Sequence, residues 1–418
     1  MTLLRESTAS LATKHIDQHG RLRTNEVNSI FQSRLLNGEQ THNFTTQLTN
    51  GATSTYSYYQ CGMIMATNTT NGSRALRMSN RYFPQVVGRG IAFNGAVRLG
   101  PQKAGVVSRF GLYDDEDGVF IQRSATGMQI CLHTTTAAGT LYTEYVNQAN
   151  WNRDKLDGTG NSGVELNPDM VQNAVFRFTN HGLGYVTVGF LINGLFIAAH
   201  VFAGNNNKNV PLLRPVSLPI RAEIYNTAAT ASASDMMVNG CSLSVEGTYS
   251  ARGTDAHYYN MDSGFSGISI NTAAWTPLFS VRLNTLKNGT KYRGGIVLND
   301  LNLYLTSTNA VMWQMIKNAS FTGGTQNWTS PITGSMLQRD QGATQITGGI
   351  VLGGGYAVGG MSSSNKAVSS AAAIEGDETT YLLSAKPLGN ADTITFVARA
   401  MATGTSMFAS INYNETEH

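Results

Sequence analysis

The sequence predicts a mainly β protein, built as two antiparallel β-sandwich or jelly-roll-like domains with an N-terminal arm. Three observations carry this. Charged residues make up 13% of the chain and glycines number 44, against a usual charged share of about 25%. Few charges, much glycine and many Ser, Thr and Asn suit short strands and tight turns, not helical bundles. Apolar runs are short, tend to period two and are bounded by polar turn residues. Finally, one hairpin signal dominates. Tyr185–Ile192 and Leu195–Phe202 flank Asn193-Gly194, a pair that supplies the two positive φ angles of a type I′ turn. Both arms are apolar at nearly every position, which predicts a hairpin at the centre of the core with both faces covered. A transmembrane helix would need a comparable length, but Gly189, Asn193, Gly194 and His200 argue against one.

At 418 residues the chain has room for about two to three domains. Residues 1–40 hold many charges, and Val27, Ile30, Phe31 and Leu35 recur at helical spacing. This predicts an anchoring arm with a short helix, and these four residues as its partner-binding positions. A β-sandwich domain is expected over 41–247. Within it, Ile91 with Phe93 and Val97 with Leu99 alternate as a half-buried strand should. Ser108–Arg123 reads as two strand halves around an acidic turn, Asp114–Gly118. Met128–His133, Leu141–Val146, Val175–Thr179, Ser217–Tyr225 and Val238–Glu246 continue the pattern. Residues 248–273 are rich in Gly, Ser, Asp and Asn and are expected to be a linker. A second β-rich domain follows over 274–418, with strands at Phe279–Leu283, Ile296–Leu305 and Ala310–Ile316. Its end reads as an antiparallel pair around Thr403–Thr405.

The net charge of +3 is spread without blocks, so no nucleic-acid groove or anionic membrane is expected. Cys61, Cys131 and Cys241 are odd in number and widely spaced, which fits free thiols rather than disulfides or zinc. Met1–Gln18 lacks the apolar core of a secretory signal, and folding in a reducing cytosol fits. The sequons at Asn68, Asn288 and Asn327 are expected by chance in such a composition.

Chemistry is sparse. The acidic run Asp114–Asp117 could attract Ca²⁺, which wants several carboxylate oxygens. Placing an EF-hand's glycine on Gly118 puts Tyr113 and Ser124 at its first and last positions, where neither can ligate. Asp115 and Asp117 are thus the candidates for some other Ca²⁺ geometry, and a solvated turn is the plainer reading. Paired carboxylates can also cleave glycosides, but no aromatic-rich cleft motif surrounds them. Gly348–Gly360 lacks the Lys-Ser/Thr of a phosphate loop and is expected to be strand. His15, His200 and His257 have no triad context. Trp151, Tyr258 and Tyr259 could stack on sugars if exposed, although such rings more often pack a loop on its own domain. No cofactor is expected.

The stretch Phe110–Ile121, followed by Trp151–Gly163, resembles a family of structural proteins of tailed bacteriophages. Gly182–Phe190, Leu218–Ile224, Pro277–Leu283 and Ala409–Tyr413 continue the likeness over roughly 21–413. Asn161 stands where the family usually has Pro, and Asn412–Glu415 replaces a more common Asn-Trp-Arg-Glu. The resemblance implies a virion component without catalytic residues, assembled in the host cytoplasm. The expected function is a non-enzymatic tail, baseplate or fibre protein working through contacts with other virion proteins. A homotrimer is expected by analogy. The alternatives are a capsid decoration or head fibre, and a spike that binds or degrades polysaccharide, with a host-surface glycan as ligand.

Overall fold

The computed structural model describes residues 27–416, apart from 85–88, 137–138, 180–183, 205, 215–216, 248–253, 260–266, 273, 288, 308, 360–369, 374–381 and 403. The first part of the expected arm, residues 1–26, lies outside the described residues. The chain divides into two compact units, 1–250 and 251–418, and the regular structure among their described residues is β apart from one short 3₁₀ turn, Gln148–Asn150.

The described residues of the first unit form seventeen strands. These are β1 (Val27–Ser33), β2 (Phe44–Thr49), β3 (Thr53–Ser57), β4 (Gly62–Thr67), β5 (Arg74–Ser79), β6 (Phe83–Pro84), β7 (Ile91–Arg98), β8 (Val106–Tyr113) and β9 (Gly118–Ser124). They continue as β10 (Gly127–Thr134), β11 (Tyr142–Asn147), β12 (Gln172–Phe178), β13 (Tyr185–Ile192), β14 (Leu195–Ala203), β15 (Ser217–Leu218), β16 (Ile220–Asn226) and β17 (Ser234–Glu246). One sheet runs β14-β13-β12-β7-β17-β4-β3, with β1 also on β17. The other runs β11-β10-β9-β8-β16-β5-β2, and β6 pairs with β15 apart from both. All these pairings are antiparallel, and many join strands distant in sequence, such as β8 with β16.

The inward positions of the two sheets share one apolar core. Phe93, Phe176, Val188 and Leu243 come from the first sheet, and Phe110, Ile121, Ile130 and Ile224 from the second. Phe93 links the layers, its ring centre 5.5 Å from that of Phe110 and 5.6 Å from that of Phe176. Each such ring stabilises the fold by roughly 1.5–3 kcal/mol through burial. This two-layer jelly-roll-like sandwich is the expected fold class.

Two local expectations are corrected. The Asn193-Gly194 turn forms, with φ of 51° and 79°, but its hairpin lies at the edge of its sheet, where β14 is the last strand. Its outer face is only partly covered: Leu191 is exposed, while the Arg177 guanidinium lies over the Phe196 ring. The centre of that sheet is β7 and β17 instead. The helix expected from Val27, Ile30, Phe31 and Leu35 is also absent. Val27–Ser33 is a strand paired with β17, and a register shift between Ser29 and Phe31 breaks the period-two alternation. The resulting spacing of three and four mimicked a helix. Phe31 and Leu35 are buried, and Ile30 packs partly buried against the core. Phe31 and Leu35 are therefore spent inside this unit rather than offered to a partner.

The second unit has a six-stranded and a five-stranded antiparallel sheet. Thr254–Tyr259 and Ile268–Ile270, inside the expected linker, are strands that pair with Thr405–Thr416. The expected C-terminal pair is not one. Thr393–Ala400 joins Thr276–Leu283 and Ala310–Lys317 in one sheet, while Thr405–Thr416 joins Gly295–Leu305 in the other. Ile350–Val358 is a strand against Ala310–Lys317, with the turn before it supplied by Gly348 and Gly349 at positive φ. Among the described residues no helix is long and apolar enough to cross a membrane.

Candidate functional site

The acidic turn between β8 and β9 is a structural knot. Asp114 Oδ1 accepts from the Glu116 and Asp117 amides at 2.9 and 3.0 Å. Asp117 is fully buried. Its carboxylate accepts from Thr134 Oγ1, the Thr135 amide, Thr135 Oγ1 and the Arg214 amide at 3.1–3.2 Å. Asp115 points elsewhere, its side chain 71% exposed and 2.7 Å from Arg221 Nη1. Glu116 pairs with Arg214. Ca²⁺ needs six to eight converging oxygens, and these carboxylates are taken up by protein donors instead, Asp115 by Arg221 and both Glu116 and Asp117 by Arg214. Among the described residues no group of three His, Cys, Asp or Glu is placed to hold a metal.

The Trp151–Gly163 loop is equally structural. Trp151 is buried, its ring stacked 6.2 Å from Phe190 and its Nε1 donating to Val146 O. The loop folds around Asp154, which accepts from the Leu156 and Ser162 amides at 2.9 and 2.8 Å. Gly160 leaves it room, since a Cβ there would lie 2.1 Å from Asp154 Oδ1. The loop also clasps the outer edge of β14. Asn152 Oδ1 accepts from the Val201 amide and its Nδ2 donates to Val201 O, both at 2.9 Å. The Arg153 and Asp154 amides donate to Ala199 O. His200, also buried, accepts at Nδ1 from the Asn152 amide at 3.3 Å. The side chains of Tyr258 and Tyr259 lie outside the described residues, as does His15. Among the aromatics that do stand in solvent are Tyr58 and Tyr59, beside the turn between β3 and β4, and Tyr142 and Tyr145 on β11.

Burial lowers the pKa of His200, with Glu144 opposing only in part. Burial would raise that of Asp154, but the hydrogen bonds from Leu156 and Ser162 outweigh it and hold the carboxyl below its ordinary range. In both cases the unfolded chain binds protons more readily, so stability is lost as pH falls. The His200 contribution is full above about pH 6.5 and fades below it; that of Asp154 fades from about pH 4 downward. Hydrogen exchange should therefore show lower protection factors for the Val201 amide at pH 5.5 than at pH 7.5. Equal protection would contradict the assignment of Nδ1 as an acceptor.

The outward face of the second sheet is different in kind. Registers across seven strands align Asn147, Gln129, Gln122, Arg109, Glu223, Leu76 and Gln47 in one row. Alternation along each strand explains it. In β16, Ile220, Ala222 and Ile224 point into the core, so Arg221 and Glu223 point out. Part of the row forms a directional chain. Arg109 Nε donates to Gln122 Oε1 at 2.6 Å, Gln122 Nε2 to Gln129 Oε1 at 2.7 Å, and Gln129 Nε2 to Asn147 Oδ1 at 2.9 Å. Such chains polarise each bond in turn.

Beside this chain lies an ion-pair cluster. Glu223 Oε1 accepts from Arg74 Nε at 2.7 Å. Its Oε2 accepts from Arg221 Nε and Nη2 at 3.1 and 2.8 Å and from the Tyr113 hydroxyl at 3.3 Å. Tyr113, Phe120 and Cys131 form a buried layer directly on the sheet. Arg221 lies over Tyr113, and Arg109 over both Phe120 and Tyr225. Burial, with Glu223 alongside, pushes the Tyr113 phenol up. Burial opposes the charge on Arg221, but Tyr113, Glu223 and Asp115 outweigh it and raise its pKa. Burial also pushes the Cys131 thiol up to about 12, so it is a packing residue, not a nucleophile. The face reaches solvent at Asp115, Tyr145 and Asn147.

The sequence reading found only Asp115 of this face. Its partners come from strands scattered between residues 47 and 223, and only the register aligns them. The signal within reach was Arg221 and Glu223, two charges at period two inside the apolar run Leu218–Ile224.

No family model and no curated protein matches the chain. Solved structures do match. The apo Crh5 transglycosylase is 14% identical with a TM-score of 0.35, covering 54% of this chain and 86% of that one. A Bacillus licheniformis beta-glucanase is 11% identical with a TM-score of 0.34, covering 52% and 98%. The carbohydrate recognition domain of Emp47p is 11% identical with a TM-score of 0.34, covering 53% and 98%. These findings overturn the expectation of a non-enzymatic tail, baseplate or fibre component. The matched proteins are named as a transglycosylase, a beta-glucanase and a carbohydrate recognition domain, and the expectations of a purely structural role and of no enzymatic activity are withdrawn. At this similarity, the likeness transfers no activity, ligand or residue role to this chain.

Proposed function

We propose that the first unit recognises a polysaccharide, laid across the outer face of its second sheet. The observation that carries this is the polar row from Asn147 to Glu223, held in place by its own hydrogen bonds. Gln122, Gln129 and Glu223 are buried in this row and brace the groups that reach solvent, the exposed Asn147 and Tyr145 and the half-buried Arg109, whose amide, hydroxyl and guanidinium offer donors and acceptors together, which suits a ligand dense in hydroxyls. Strands about 4.8 Å apart set these groups in a straight line, which suits an extended chain. Because the side chains are already ordered, little rotamer entropy is lost when a ligand arrives. A virion-borne spike facing a host-surface glycan is the setting proposed for it, and that part rests on the sequence resemblance alone.

The test is calorimetric titration with a panel of neutral and acidic polysaccharides, with released reducing ends measured in parallel. At least one polymer should bind. Tyr145→Ala and Asn147→Ala should each weaken it about tenfold, or ~1.4 kcal/mol. Ser244→Ala, on the outer face of the other sheet, should not. Release of reducing ends would extend the proposal from binding to cleavage. Absence of binding across the panel, or equal binding by all three variants, would overturn it.

A further inference from the structure

We infer that the polysaccharide is acidic, and that Arg109 receives its carboxylate; this deepens the function proposed above and rests on it. The argument begins with charge on the face. Arg74, Arg109 and Arg221 stand against Glu223 and Asp115. Arg74 and Arg221 are paired with these carboxylates. Glu223 sits directly across the ladder from Arg109, yet its two oxygens already accept four bonds from Arg74, Arg221 and Tyr113. Arg109 is left as the surplus cation, with no carboxylate within ion-pair distance among the described residues.

Its geometry is that of a preset receptor. The Cζ atom lies 5.0 Å from the Phe120 ring centre and 5.2 Å from that of Tyr225. Nε is fixed on Gln122 Oε1 at 2.6 Å. One of the five N–H donors of a guanidinium is thereby used, and the described residues supply no hydrogen-bond acceptor to the Nη edge. The side chain is half-buried, so the guanidinium is held in place and partly desolvated without being closed off from solvent. A planar fork of this kind matches a carboxylate through two parallel hydrogen bonds. A neutral sugar would leave the fork without its charge partner. A uronic acid supplies a carboxylate on the sugar ring itself.

The test uses polygalacturonate and alginate, each paired with its carboxyl-reduced, neutral derivative. The wild-type chain should bind an acidic polymer at least tenfold more tightly than its reduced partner, with the difference shrinking as salt rises. Arg109→Gln keeps a donor toward Gln122 and should lose this preference, its affinity for the acidic polymer falling to that for the reduced one. Arg109→Lys keeps the charge without the fork and should restore only part of it. Thermal unfolding of both variants near the wild-type temperature would show that the fold is kept. If the reduced polymers bind as well as the acidic ones, or if Arg109→Gln retains the preference, the inference fails while glycan recognition stands. If none of the four polymers nor any of the wider panel binds, both fail together.

Discussion

Replacing Glu223 with alanine is expected to destabilise the first unit by about 3–5 kcal/mol, the usual effect of breaking a buried ion pair from one side. The side chains of Glu223 and Arg221 are each only 4% exposed, so the truncated site would leave a guanidinium nearly out of water. Asp115 still holds Arg221 Nη1, but from the solvent side, where pairing is worth little. The Tyr113 hydroxyl and Arg74 Nε would lose their bonds to Glu223 as well. Urea unfolding followed by tyrosine fluorescence would check this through a lowered midpoint. Glu223→Gln keeps the shape and one acceptor and should cost less. A Glu223→Ala protein unfolding at the wild-type midpoint would show that the cluster contributes little to the fold.

Gly118→Ala should be nearly as damaging. Gly118 opens β9 at φ +146°, a conformation closed to side chains, and a Cβ there would lie 2.1 Å from Tyr113 Cβ, 2.2 Å from Tyr113 Cα and 2.4 Å from Leu112 O. Two of these three contacts are backbone atoms in the paired strand, so no rotamer change relieves them. Strain of this kind costs about 1–3 kcal/mol before the clash is counted, and the clash brings the expected loss to about 3 kcal/mol or more. The effect would spread, because the same turn carries Asp117 and its four hydrogen bonds. Thermal unfolding and the near-ultraviolet signal of Tyr113 would measure it. Stability equal to wild type would mean that the turn adopts another conformation.

The fold class was legible because period-two patterning and turn chemistry are local. Asn193-Gly194 and Asp114–Gly118 mark their turns within a few residues. What sequence could not supply was the order of strands. The Tyr185–Phe202 run looked central because it is the most apolar, yet apolar strands can also serve at an edge when a loop covers them, as Trp151–Asp154 does for β14. The Val27–Leu35 spacing misled for a related reason: one bulge shifts the phase of a strand and produces a helical period by accident. The candidate site was hidden by distance along the chain. Arg109, Gln122 and Gln129 lie near one another in sequence, but Glu223 meets them only because β16 inserts beside β8. In β9 and β10 both faces are buried, so the polar outward residues Gln122 and Gln129 looked like interruptions of an apolar run rather than members of a row.

The clasp of Asn152 on Val201 has a consequence for how this protein behaves in a crowded solution. The outer rim of β14 would otherwise present a row of amide and carbonyl groups, a ready template on which a strand of another molecule could grow. Asn152 occupies that template with a side-chain amide that mimics one more residue of strand and then ends, since the chain turns away at Asp154. Sheet extension from molecule to molecule is thus blocked at this rim by the Asn152–Asp154 loop of the same chain. An Asn152→Ala protein, though still folded, should turn cloudy on concentration or mild warming where the parent chain stays clear.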